Sequence, residues 1–104
     1  MSGHELPPPA PRITVQCYVP RAVFDALDRT GLRVEYSMKV PHDKRGQVRL
    51  TMQLAVATQI LEQVRARGAA TESGPLVLAC AAAFQSIDAA IRGALGYHAA
   101  LSRR

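Results

Sequence analysis

Three histidines, two cysteines and eight carboxylates are the side chains of this 104-residue sequence from which a reaction or a metal site could be built. Their spacing builds neither. His4, His42 and His98 fall in a tail, a turn and the end of a helical pattern, with no two placed four apart on one helix face as metal binding would want. No metal ion and no cofactor is therefore expected. Cys17 and Cys80 are far apart and set among apolar residues, where a thiol behaves as a small hydrophobe rather than a nucleophile. Asp25 and Asp28 share one exposed side of a helix, while Glu62 and Asp88 stand alone, so no pair of carboxylates is poised for acid and base work. The sequence contains no phosphate-cradling glycine loop, nucleophile elbow or dinucleotide fingerprint. A small enzyme would have to gather His98, Glu62 or Asp88 into a pocket at a subunit boundary.

The cations make a more suggestive set. The chain carries a formal charge of +5 and a pI near 9.9, a balance that favours nucleic acid, an acidic protein or an anionic surface. Arg12, Arg33, Lys39 and Arg49 fall on the polar side of alternating segments, together with Thr14, Gln16, Glu35, Ser37 and Thr51. An adjoining turn adds Lys44 and Arg45 against Asp43. One face of a sheet would then be basic, a candidate surface for nucleic acid or a protein partner at Arg12, Thr14, Gln16, Arg33, Lys39, Lys44, Arg45 and Arg49.

The elements that must hold this face follow from periodicity. Ile13, Val15, Cys17 and Val19 alternate with polar residues, the period of a half-buried strand. Pro20 opens a helix expected to run to Thr30, with Gly31 closing it. Val34, Tyr36, Met38 and Val40 alternate again up to Pro41, and Val48, Leu50 and Met52 do so once more after a polar turn. Residues 47–52 also fit the start of a helix, because Leu50, Leu54, Ala57, Leu61 and Val64 recur at four and three. The expectation is a short strand to about Thr51 passing into a second helix that ends near Arg67. Ser73 caps a third helix, predicted from Pro75 to Leu101, whose length of nearly 40 Å requires it either to bend near Gly93 and Gly96 or to project. Residues 1–11, with prolines at 7, 8, 9 and 11, read as a disordered tail.

The segment Arg12 to Gln16, followed by the helix from Pro20, resembles the first strand and helix of ribbon-helix-helix DNA-binding proteins. That resemblance places Arg12, Thr14 and Gln16 as major-groove readers on a two-chain ribbon. It spans under a fifth of the chain, and the strand-like Leu32 to Val40 stands where that family has its second helix.

The expected architecture is a single α+β domain over residues 12–104: a two- or three-stranded sheet in strand-helix-strand-strand-helix-helix order, covered on one side by a helical hairpin with a long C-terminal helix. Such a small sheet with an over-long apolar helix suggests a homodimer or larger homo-oligomer joined through Cys80, Phe84, Ile87, Ile91 and Leu95. The longest uninterrupted apolar run, Pro75 to Phe84, is ten residues, against about 20 for a membrane span, so no membrane is expected. Free cysteines point to the cytoplasm, and the excess of arginine and alanine to a GC-rich bacterial genome or one of its phages or plasmids. The leading functional expectation is a non-catalytic interaction or regulatory protein, and the next is a nucleic-acid-binding accessory protein.

Overall fold

The computed structural model describes residues 12–102. The proline-rich tail lies outside them. Three strands, β1 (Thr14–Pro20), β2 (Glu35–Ser37) and β3 (Gln47–Gln53), form one antiparallel sheet in the order β1-β3-β2. Three helices, α1 (Arg21–Ala26), α2 (Leu54–Ala70) and α3 (Gly74–Ser102), pack against it. The expected α+β arrangement is the one observed.

The sheet owes its faces to the alternation in β1 and β3. Val15, Cys17 and Val19 pair with Met52, Leu50 and Val48, and all six side chains are buried. Ala57, Ile60 and Val64 of α2 and Cys80, Ala83 and Ile87 of α3 close the same core. Residues 47–53 are strand to the last residue, and α2 begins directly at Leu54. The helical spacing of Leu50 with Leu54 is thus a coincidence of two elements meeting end to end.

Two elements are shorter than their patterns predict. The first helix stops at Ala26, and Leu27 turns extended at ψ 139°. The Asp28 side chain accepts the Thr30 N–H at 3.0 Å, giving the backbone a turn in place of a further helical bond. Those bonds also hold the Asp28 carboxyl below the ordinary carboxylate range. Gly31, at φ +75°, serves this turn rather than a helix end. The second strand stops at Ser37 because its Oγ accepts the Lys39 N–H at 3.1 Å and turns the chain away. Lys39 consequently sits in the connection, beyond the ladder.

Helix α2 fastens the α1–β2 connection by side chains that reach backbone. Gln63 donates from Nε2 to the Asp28 carbonyl at 2.8 Å and accepts the Asp28 N–H at 2.9 Å. Arg67 donates to the Ala26 carbonyl at 3.0 Å. Gln63→Ala removes two of these bonds at once and is expected to lower stability by about 1–2 kcal/mol, or roughly 5–10 °C in Tm for a domain of this size. An unchanged thermal melt would show that the clamp contributes nothing.

Helix α3 is continuous for 29 residues, about 43 Å, through Gly93 and Gly96. It is unbroken at both glycines, and Leu95, Tyr97 and Leu101 are exposed towards its end. The stretch Gly74–Leu101 is long and apolar enough to cross a membrane by length and composition, with a mean hydropathy of 1.5. Counting only uninterrupted apolar residues hid this, because Gln85, Ser86 and Asp88 break the run without offsetting it. One face of the helix nevertheless supplies core residues of the domain, Cys80, Ala83 and Ile87.

Candidate functional site: the open face of the sheet

With all the buried strand side chains on one face, the other carries the polar rows. Register places Gln16, Thr51 and Glu35 in one row across the three strands, and Tyr18, Arg49 and Ser37 in the next. Thr14 lies opposite Gln53 at the end of β1. A hollow of about 300 Å³ opens among Thr14, Arg33, Glu35, Thr51 and Gln53, which brings Arg33 to this surface although it precedes β2. Lys44, from the short 3-10 turn between β2 and β3, sets its Nζ 5.4 Å from the centre of the Tyr18 ring. Its neighbour Arg45 lies 3.4 Å from His42 Nδ1. Arg12 is exposed just ahead of β1.

Cations outnumber carboxylates on this face, where Glu35 shares the hollow with Arg33. Among the described residues the ion pairs are Arg21–Asp25, Glu62–Arg65 and Asp88–Arg92, each between neighbouring turns of one helix. None draws on Arg12, Arg33, Lys39, Lys44, Arg45 or Arg49. Glu35 and Asp43 are the acidic residues nearest in sequence to five of them, Arg33, Lys39, Lys44, Arg45 and Arg49. The aromatic content is modest: Lys44 lies over Tyr18, while Tyr36 packs its ring 4.9 Å from Phe24 with the Arg29 guanidinium over both. Sequence reasoning missed this Phe24–Arg29–Tyr36 cluster, which only the sheet register brings together.

Within one chain, Glu62, Asp88 and His98 do not converge. Glu62 is engaged with Arg65 on α2, Asp88 with Arg92 on α3, and His98 lies ten residues beyond Asp88, about 15 Å along the helix. No cluster of three metal-ligating side chains occurs among the described residues. The hollow of about 440 Å³ between the α1–β2 connection and α2 is lined by Asp28, Gln63 and Arg67, whose polar groups are already bonded as described.

Both thiols are free and buried. Burial raises the Cys80 thiol, with the Arg67 charge pulling the other way, and it pushes Cys17 up to about 11 from an ordinary 9.0. A folded pKa above the unfolded one means that the native state favours the proton. This contribution to stability is whole below pH 9.0 and is lost as pH rises towards 11. Cys17 is accordingly expected to resist alkylation at pH 8 until urea unfolds the chain, and the urea midpoint to fall between pH 8.5 and 10.5 by more in the native protein than in Cys17→Ala. Rapid labelling of the folded protein, read by mass spectrometry, would refute this.

The β1 edge on which the family's ribbon would form is occupied by α3 at Tyr18. The Leu54 N–H bonds the Ile13 carbonyl at 2.9 Å, so the alternate carbonyls of Thr14, Gln16 and Tyr18 point away from β3. On that side α3 packs along β1, and Ser86 Oγ donates to the Tyr18 carbonyl at 2.6 Å. Thr14 and Gln16 remain exposed on the open face. Of the residues expected to join subunits, Cys80 and Ile87 are consumed by the chain's own core, Phe84 and Ile91 are half-buried, and Leu95 is 43% exposed. No family model, curated protein or solved structure matches this chain.

Proposed function

We propose that the chain is a small, non-catalytic, homo-oligomeric interaction protein of the bacterial cytoplasm that holds an anionic partner on the open face of its sheet. The observation that carries this reading is the set of six cations on and beside that face, none of them in an ion pair with a carboxylate of the described chain. Unpaired surface cations repel one another at modest salt, and a partner bearing several negative charges relieves that repulsion. A nucleic acid is the second reading. It is favoured by the spread of cations from Arg49 in the second row to Arg12, Arg33 and Lys44 around it, which suits a line of phosphates better than a single carboxylate pocket.

The two readings are tested together by titrating a fluorescent duplex DNA, a single-stranded RNA and a polyglutamate peptide into the protein at about 50 mM salt. Binding to any of them that weakens steeply with salt supports an anion-holding face. Retention of the nucleic acids but not polyglutamate selects the second reading. Failure of all three at micromolar protein overturns both.

A further inference from the structure

Beside the buried stripe of α3 runs a second, mainly apolar stripe that the domain covers only in part. Val77, Ala81, Phe84, Asp88, Ile91 and Leu95 recur at intervals of four and three, the spacing of a seam that meets another helix. Val77 is 40% exposed, Ala81 is exposed, and Phe84 and Ile91 are half-buried. Only 17% of the most apolar 18-residue stretch of α3 is buried. Next to the seam, a groove of about 280 Å³ between α2 and α3 is lined by Val64, Gly68, Val77, Cys80, Ala81 and Phe84. The two helices are in close contact there, since a methyl group on Gly68 would come within 3.0 Å of Cys80 Cβ.

From this spacing and its charges we infer that the stripe receives α3 of a second copy, antiparallel, about a two-fold axis between positions 89 and 90. The inference rests on the homo-oligomeric part of the function proposed above and names the surface. An antiparallel register about that axis sets Phe84 against Leu95 of the second copy and brings Asp88 beside the other copy's Arg92, twice by symmetry. The side chains that pair within one helix at 3.0 Å are thereby free to pair across the two. A parallel pair would instead stack Asp88 on Asp88, the unfavourable arrangement. The seam residues from Val77 to Leu95 span about 27 Å, so the contact is extended rather than a single point.

The test uses the full chain. Size-exclusion chromatography with light scattering at 50 µM is expected to give a dimer. Leu95→Glu and Phe84→Glu, which face each other across the seam, each set a charge against an apolar side chain of the second copy and raise the dimer dissociation constant by about a hundredfold or more. Leu78→Glu, at the exposed position one residue round the helix from Val77, leaves the dimer intact. Circular dichroism melts of the dissociated variants check that the fold survives. With a bifunctional thiol reagent spanning about 8–10 Å, Ile91→Cys cross-links to itself, its copies being offset by about 4.5 Å along the axis of two packed helices, whereas Leu95→Cys copies, offset by about 16 Å, do not.

A monomer at 50 µM overturns the inference together with the homo-oligomer. A dimer indifferent to both glutamates overturns the seam alone, and cross-linking of Leu95→Cys overturns the antiparallel register. Co-flotation of a monomer with uncharged phosphatidylcholine vesicles, lost in Leu95→Glu, would assign the stripe to lipid and overturn the second copy as its occupant.

Discussion

Ile87→Asp is expected to abolish the cooperative unfolding transition at any protein concentration. Ile87 is fully buried among residues of its own chain, where α3 meets the sheet and α2. A carboxylate there has no cation to meet, since the surrounding core contains no buried polar or charged side chain. Leaving a charge unpaired in such a place costs about 3–5 kcal/mol or more, and a domain of this size has roughly 5–15 kcal/mol in hand. Ile87→Val, which keeps the apolar character, should lower stability by only about 0.5–1.5 kcal/mol. The concentration dependence of the melt decides what Ile87 touches. Ile87→Val at a core position lowers Tm by the same amount relative to the unmodified protein at about 2 and about 200 µM, whereas at an interface its deficit shrinks as concentration rises. A cooperative melt for Ile87→Asp near that of the unmodified protein would refute its place in the core.

The position of Ile87 shows where a sequence stops being informative. Helix α3 is rich in alanine, with apolar residues on most of its circumference, so periodicity finds a helix but cannot select between two adjacent stripes. Cys80 and Ile87 face inward, while Val77, Ala81 and Leu95 are left outside. The choice is made by the sheet, which turns Ser86 towards the Tyr18 carbonyl and brings Gly68 against Cys80.

The strands were more legible, because a period of two assigns every side chain to a face once the buried face is known. Val15, Cys17 and Val19 and their partners Met52, Leu50 and Val48 behave as their alternation requires. Element ends were poorly legible, since they depend on competing bonds made at a distance or by short side chains. Gln63 and Arg67 hold the backbone at Asp28 and Ala26 across 35 and 41 residues, and no local pattern announces such a bond. The basic face was legible as a set of outward residues. What the sequence could not supply was the arrangement that brings Arg33 to the Thr14–Gln53 end and Lys44 over Tyr18.

That arrangement identifies the substitutions with the largest expected effect on binding. Arg33 opens onto the hollow at one end of the face, Arg49 lies in the middle of its second row, and Lys44 stands over the ring next to Arg49 across the ladder. If phosphates cross this surface, changing all three to Gln removes about three contacts and lowers the slope of log affinity against log salt by roughly 2.7, at about 0.9 per phosphate of duplex. Because the slope is shared by every sequence, affinity for all duplexes should fall together. Thr14→Ala with Gln16→Ala leaves the slope alone and changes preference among sequences only if these side chains read bases. The triple variant should melt within about 1 kcal/mol of the parent, since exposed cations without partners contribute little to the fold. A triple variant that keeps both the fold and the full salt slope would show that these three side chains do not hold the anion, leaving Arg12, Lys39 and Arg45 at the rim and Arg65, Arg67 and Arg92 on the helices as the described cations outside α1 and its following turn. A variant that loses polyglutamate and nucleic acid alike would mark the face as a general anion-holding surface, whose partner is then decided by competition between the two at a salt concentration near 150 mM.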